Sequence, residues 1–319
     1  MPLATVFGGS GFIGSAVVKR LAQSALGTAE LTIEIPTRHT VKAGRLRTLG
    51  SVGQIVPVPC NITRPDQIAE AVQNAEIVIN LVGILYEKGK STFERMHVEV
   101  PRLIAEASAK AGVKHLVHVS AIGADANAPS RYASSKGRGE AAVRAAFPQA
   151  VILRPSIVFG PGDGFFNLFG RMAQLSPVLP LIGGGQTRFQ PVYVGDVADA
   201  VCAALTIPAA AGKTFELGGP RAYTFENLLH LVLQETGQRC TFAHIPFGLA
   251  HLQGFFSEFL PKPPLTRDQV EQLKRDNVVA PQALTLADLG LNATALEAIL
   301  PTYMEQYRPG GRFGRTRPI

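Results

Sequence analysis

An α/β protein built on a doubly wound parallel sheet, with a smaller C-terminal α/β lobe, is predicted by three observations. From residue 1 to about residue 160, short β-branched or apolar runs alternate with longer amphipathic runs, the pattern of repeated strand–helix–strand units. A glycine-rich turn, Gly8-Gly9-Ser10-Gly11-Phe12-Ile13-Gly14, stands between the first strand and the first helix of that pattern. After Pro155 the alternation gives way to loops marked by Gly160-Pro161-Gly162, Pro177, Pro180, Gly183-Gly184-Gly185 and Pro191. The expected organisation is a sheet domain over 1–160, a smaller lobe over 161–307 with interleaved returns to the sheet, and a basic tail over 308–319.

Within the sheet domain the strands are expected at Leu3 to Phe7, Leu31 to Pro36, Gln54 to Pro59, Glu76 to Val82, His115 to Val119 and Ala150 to Arg154. Helices are expected at Ile13 to Leu26, Pro65 to Gln73, Thr92 to Ala111 and Ser134 to Phe147. Each strand–helix–strand step crosses over with the same hand, so the C-terminal ends of the strands share one edge, where a ligand would bind. In the lobe a helix is expected at Phe225 to Gln234. The apolar stretch Pro246 to Leu260 places Leu249, Leu252, Phe255, Phe256, Phe259 and Leu260 at helical spacing, read as lobe core. Because only Glu258 is charged there, a partner-facing or membrane-surface helix is the alternative.

With 46% hydrophobic residues in 319, the chain buries a substantial core and is not disordered as a whole. No apolar run approaches the roughly 18 to 20 residues of a spanning helix. The first strand begins at Leu3, which leaves no room for a signal peptide, so the expectation is a soluble or peripheral protein. Cys60, Cys202 and Cys240 lack C-x-x-C spacing and point to neither a disulfide framework nor a metal site. The formal charge of +7 is concentrated at the end, where Arg308, Arg312, Arg315 and Arg317 lie among Gly310, Gly311 and Gly314. That tail is either solvated or docks on a protein surface or anionic headgroups. Nucleic acid fits less well, since no basic helix or aromatic-interleaved groove accompanies the charge.

The glycine turn reads as a phosphate cradle on a Rossmann-type domain. Gly8 permits the tight turn, Gly11 lets backbone approach a pyrophosphate, and Gly14 lets the helix pack closely, with Ser10, Phe12 and Ile13 filling the same turn. The helix N-terminus offers N–H groups and its positive dipole end to the phosphates. The second strand ends Pro36-Thr37-Arg38-His39 rather than in an acid suited to a ribose 2′-hydroxyl, and Glu34 lies inside the strand. Arg38 can hold a 2′-phosphate through two hydrogen bonds and Thr37 can add a third, so NADPH is favoured over NADH. Asn61 and Ile62, past the third strand, are expected against the adenine, and Leu81, Val82 and Gly83 beside the adenosine ribose.

Tyr132 and Lys136 are spaced one helical turn apart, so a cation can sit near a phenol and favour its ionised form. Lys136 can also hold the nicotinamide ribose. Ser120, just beyond the fifth strand, can bond a substrate oxygen from the ligand edge. These residues, the three glycines, Arg154-Pro155-Ser156-Ile157-Val158-Phe159-Gly160-Pro161-Gly162 and Val192-Tyr193-Val194-Gly195-Asp196-Val197-Ala198 resemble the extended short-chain dehydrogenase/reductase, or epimerase/dehydratase, family. Phe215-Glu216-Leu217-Gly218-Gly219-Pro220 is a further landmark, and the resemblance adds Pro155 to the cofactor-binding set.

Ala146-Phe147-Pro148 through Arg154-Pro155, Phe166-Asn167 and Gln190-Pro191-Val192-Tyr193-Val194 resemble, more narrowly, the alpha-subcomplex subunit 9 branch, accessory subunits of respiratory complex I. Bacterial members of that branch begin, as this chain does, without a presequence. The resemblance implies NADPH held as a fixed structural cofactor beside the quinone-reducing region, with complex I subunits as partners. Departures from sugar-nucleotide epimerases are also visible. Ala121 follows Ser120 where those enzymes carry a Ser/Thr pair, and His97 stands where they often carry asparagine, read here as an exposed helix residue. Two functions therefore stand: a cofactor-holding complex I subunit, or a free NADP(H)-dependent oxidoreductase, epimerase or dehydratase using Ser120, Tyr132 and Lys136.

Overall fold

The computed structural model describes residues 2–23, 31–260 and 263–311. The chain divides into two compact units, one comprising residues 1–155, 194–217 and 280–292, the other residues 156–193, 218–279 and 293–319.

The first unit is the parallel sheet. Its strands are β1 (Leu3–Phe7), β2 (Thr32–Thr37), β3 (Ile55–Pro59), β4 (Ile77–Asn80), β5 (His115–Val119), β6 (Val151–Pro155) and β7 (Thr214–Leu217), in the order β7-β6-β5-β4-β1-β2-β3. Every neighbouring pair is parallel. The helices are α1 (Phe12–Gln23), α2 (Pro65–Val72), α3 (Val100–Lys110), α4 (Arg131–Ala146) and α5 (Val194–Thr206). Central strands covered on both faces must be apolar on both, which is why Val78-Ile79, Leu116-Val117 and Val151-Ile152-Leu153 run without alternation and are all buried. Under α2, α3 and α4 the core gathers Phe7, Ile68, Val72, Val78, Met96, Ile104, Leu116 and Val143. On the opposite face α1 packs against α5, where Arg20 pairs with Asp199.

The strands match the sequence expectation to within two residues at each end. The first helix is described only to Gln23, and its expected continuation to Leu26 lies outside the described residues. Two elements differ more. The helix expected from Thr92 opens instead with a π-helical stretch, Glu94–Glu99, before α3 becomes regular. The helix expected from Ser134 starts three residues earlier, because Ser130 caps it by accepting from the Ala133 N–H at 3.2 Å.

In the second unit the helix Phe166–Leu175 and the strand Val178–Ile182, which pairs in parallel with Thr241–Ile245, replace part of what the prolines and glycines suggested was loop, while the helix expected at Phe225 to Gln234 is present as Phe225–Thr236. Its core is aromatic, with Phe159, Phe166, Phe169, Phe189, Phe225 and Tyr303 packed together. The reading of 246–260 as lobe core is corrected. Helix Phe247–Ser257 buries fully only the small residues Ala250, Gly254 and Ser257, with Phe247 at its start partly buried against the cluster of Ile182, Ala250 and Val270, and a Cβ on Gly254 would meet the Arg267 backbone at 2.9 Å. That close approach leaves room beneath it for nothing large. Leu249, Leu252, Phe255, Phe256, Phe259 and Leu260 are consequently 41–77% exposed. Arg308 is likewise no part of a free tail: its Nε donates to the Glu235 carbonyl at 2.9 Å. Arg312, Arg315 and Arg317 lie outside the described residues.

Candidate functional site

The C-terminal edge of the sheet carries three groups of residues, all within the first unit. The first is the glycine turn. It sits where the strand order reverses, with β4 on one side of β1 and β2 on the other, the position at which open α/β sheets bind ligands. Gly8 has φ of +80°, a left-handed conformation, and a Cβ there would lie 3.0 Å from the Leu81 carbonyl group. A Cβ on Gly14 would strike the Gly9 Cα at 2.7 Å, so α1 rests directly on the turn. Gly11 is exposed and donates to the Gly8 carbonyl at 3.0 Å. Ser10, Phe12 and Ile13 are half-buried around it. The first-turn N–H groups of α1 have no partner within the helix, as at any helix start, so this cradle fits a pyrophosphate.

The second group lies at the ends of β2 and β3. Thr37, Arg38 and Asn61 line one concavity together with Pro59, Cys60, Gln67 and Glu70. The Thr37 hydroxyl oxygen accepts from the His39 N–H at 3.2 Å, leaving its own proton to donate. Asn61 folds its side-chain oxygen back onto the Thr63 amide and hydroxyl, at 3.2 and 2.9 Å, which leaves its NH2 as the end able to face a ligand. Ile62 packs on the core below α2. Glu34 is mid-strand and half-buried, and burial raises its pKa above the usual carboxylate value.

The third group gathers the chemistry. Ser120 continues the β5 ladder, donating its N–H to the Leu153 carbonyl at 2.7 Å, and its hydroxyl is buried without a hydrogen-bond partner among the described residues. Lys136 is buried, with Nζ 3.5 Å from the Val119 carbonyl and 3.3 Å from where a Cβ on Gly83 would lie. Burial pushes its pKa down to about 8, against the opposing pull of the Glu140 carboxylate. The ammonium also stands 6.0 Å from the centre of the Tyr132 ring. The structure therefore brings Ser120, Tyr132, Lys136 and Gly83 to one place. Leu81 and Val82 run just before it, Val82 facing the core, and the Pro155 carbonyl accepts from Ile122 at 3.0 Å one strand over.

His97 is corrected from an exposed helix residue to a buried one, 1% accessible. The π-helical register turns it inward. Its Nε2 accepts from the Ile84 N–H at 3.0 Å, so Nδ1 carries the proton and donates to the Ser135 hydroxyl at 2.9 Å. Ser135 in turn donates to the Tyr132 carbonyl at 2.8 Å, and the Tyr132 ring stands edge-on to the imidazole at 5.3 Å. Gly139 makes this possible, since any Cβ there would collide with the His97 carbonyl. His97 thus ties the segment after β4 to the start of α4.

Sequence reasoning also missed Asn80 and His118. Their side chains meet at 3.1 Å across β4 and β5, and the Asn80 oxygen accepts from the Val82 N–H at 3.0 Å. Burial, then the Lys136 cation, lowers the pKa of His97 to about 2 and that of His118 to about 3, so both are neutral at physiological pH. Glu140 was missed as well. It is a buried carboxylate held by a two-point pair with Arg154 at 2.8 and 2.6 Å. The available signal was its partner Arg154, a charged residue in a strand otherwise filled by apolar ones.

A parallel α/β sheet with a glycine cradle at its switch point, and a Tyr-x-x-x-Lys pair beside a strand-end serine, defines a protein of the short-chain dehydrogenase/reductase type. The chain belongs to the NAD dependent epimerase/dehydratase family, which matches residues 4–218. It is 35% identical to the mitochondrial NADH dehydrogenase (ubiquinone) 1 alpha subcomplex subunit 9 of Arabidopsis thaliana, over 98% of this chain and 80% of that protein. It is 37% identical to the subunit of the same name from Mus musculus, over 92% of this chain and 78% of that one. Among solved structures, a dTDP-glucose 4,6-dehydratase from Streptomyces venezuelae, with NAD bound, has the same fold with a TM-score of 0.73 at 18% identity, over 95% of each chain.

Proposed function

We propose that this chain is an accessory subunit of a complex I type NADH:quinone oxidoreductase and holds NADPH as a structural cofactor rather than turning it over. The observation that carries the reading is likeness along nearly the whole chain to proteins named as NADH dehydrogenase subunits. The first unit supports the cofactor. The cradle from Gly8 to Gly14 would hold the pyrophosphate, Thr37 and Arg38 a 2′-phosphate, Asn61 the adenine, and Tyr132 with Lys136 the nicotinamide ribose. The buried Ser120 hydroxyl, left without a protein partner, fits a ligand at that end. A nicotinamide group supplies hydride chemistry when bound; this chain's residues bind and orient it. Tight NADPH would stabilise the fold by mass action, about 4 kcal/mol at a thousandfold excess over its dissociation constant.

In this reading the protein lies peripherally on the cytoplasmic face of a bacterial inner membrane, near the quinone-reducing region. No described helix is long and apolar enough to cross a membrane. The exposed apolar side of Phe247–Ser257, with Phe259 and Leu260 beyond it, supports contact with a membrane surface, which the arginines of the tail would reinforce. On a native gel, affinity-tagged protein is expected to co-migrate with NADH dehydrogenase activity; migration apart from it would sink the assignment.

The alternative, a free NADP(H)-dependent oxidoreductase, epimerase or dehydratase, is favoured by one observation. Lys136 lies beside Tyr132 with its pKa brought down to about 8, which suits acid–base work near neutrality. It predicts turnover that Tyr132→Phe abolishes while nucleotide binding survives. Undiminished turnover in that variant would leave the tyrosine without a catalytic role.

A further inference from the structure

Resting on the reading of the first unit as a dinucleotide site, the structure assigns Asn80 and His118 to that site as a positioning pair for the nicotinamide end, fixing the chain at Gly83 and the hydroxyl of Ser120. The two residues stand directly opposite each other across β4 and β5. Side chains alternate along a strand, so Val78 and Asn80 share one face of β4, and Leu116, His118 and Ser120 one face of β5. Val78 and Leu116 lie in the apolar core under α2, α3 and α4, so the polar pair interrupts that core. Both side chains are 1% accessible. Burying an amide and an imidazole is unfavourable unless their hydrogen bonds are made, and two apolar residues would fill the space without that demand.

What the pair holds accounts for its presence. The Asn80 oxygen accepts from the Val82 N–H at 3.0 Å, where the chain leaves β4. Two residues further on, the Ile84 N–H donates to His97 Nε2 at 3.0 Å. Gly83 is thus pinned from both sides, with Lys136 Nζ 3.3 Å from where its Cβ would lie. Because the Asn80 oxygen is committed to Val82, its NH2 faces His118 and donates to Nδ1 at 3.1 Å, which puts the imidazole proton on Nε2. Burial, together with the Lys136 cation, keeps that ring neutral. The Nε2–H is buried with no hydrogen-bond partner among the described residues, and so is the Ser120 hydroxyl, two residues along the same face. In this assignment one internal water lies between them, accepting from the imidazole and donating to the serine oxygen. Ser120 then turns its own proton toward the ligand.

The test uses the full-length protein, isotopically labelled at its imidazole nitrogens, with two probes: NADPH, and adenosine 2′,5′-bisphosphate, which keeps the adenosine end and lacks the nicotinamide end. In nitrogen NMR the His118 signals are expected to report a protonated Nε2 and an unprotonated Nδ1, and to move on addition of NADPH but not of the bisphosphate. A proton on Nδ1, or signals that NADPH leaves in place, overturns the assignment whether or not any variant folds. Asn80→Leu and His118→Phe are each expected to weaken NADPH about tenfold, as loss of one well-placed hydrogen bond does, with the bisphosphate bound as before. The double variant should lose no more than either single one, since the two act as a unit. Equal losses for both probes would mark the pair as structural only and overturn the assignment, as would unchanged NADPH affinity in both variants. In either case the cofactor site stands and only the role of the pair falls. If the wild-type protein binds neither probe, the reading of the site falls and the role of the pair with it.

Discussion

Lys136, His97 and His118 are the residues whose burial has the largest measurable consequence. Each is a base with its pKa held below the ordinary value, so the unfolded chain binds more protons than the folded one across a defined window. For the histidines the window lies below about 6.5, the unfolded value, and extends down to about 3 and about 2. The stability they contribute is complete above that value and is lost as pH falls. Urea unfolding should show a loss of about 2 to 4 kcal/mol between pH 7 and pH 5, and a double His97→Asn, His118→Asn variant should have a flatter profile. For Lys136 the window runs from about 8 up to the ordinary lysine value of 10.5, and stability should rise with pH across it. Lys136→Met should therefore be more stable than the wild type at pH 7, by at most about 3 kcal/mol, with the gap closing above pH 10. An unchanged gap would mean that Lys136 is not buried as a cation. Lys136 was legible in the sequence through its spacing from Tyr132, and so was Ser120 through its place after an apolar strand. His97, His118 and Asn80 were not, because whether a polar residue on an amphipathic helix or a strand faces inward depends on neighbours distant in the chain.

At the scale of elements, regular local patterns were readable and non-local pairings were not. β1 and β5 were expected with the bounds they have, since apolar runs flanked by turn residues specify a buried strand. β7 escaped because its partner β6 is some sixty residues earlier, and a parallel pairing leaves no local trace. The pair Val178–Ile182 and Thr241–Ile245 escaped for the same reason, with Pro180 adding a false loop signal. The π-helical stretch Glu94–Glu99 needs the packing of Gly139 on the His97 carbonyl, a contact between two helices. Gly139→Ala should therefore destabilise the protein by about 1 to 3 kcal/mol, read as a drop in melting temperature. Helix Phe247–Ser257 was recognised by its spacing, but its fully buried positions are held by small residues, while most of its large apolar ones face outward. Flotation with anionic vesicles tests what that face does. A fully inserted phenylalanine side chain contributes about 1.5 to 3 kcal/mol, so changing Phe255, Phe256 and Phe259 together to serine should abolish co-flotation without loss of the folded state. Equal flotation of both proteins would show that the helix does not meet the bilayer.

For the molecule as a whole, fold and family follow from one chain of causes. Apolar strands stack in parallel, their order reverses beside β1, and the glycine turn leaves that switch point open to a phosphate. The presence of Ser120, Tyr132 and Lys136 does not by itself require turnover, since in the proposed reading the same tyrosine and lysine hold a ribose. The direct measurement is purification of the protein from its native cells under mild conditions, followed by identification of the co-purifying chains and of the nucleotide released on denaturation. The account predicts subunits of an NADH:quinone oxidoreductase together with NADPH in an amount close to that of this chain. A chain that purifies alone, or one that arrives with those subunits and releases no dinucleotide, would contradict it.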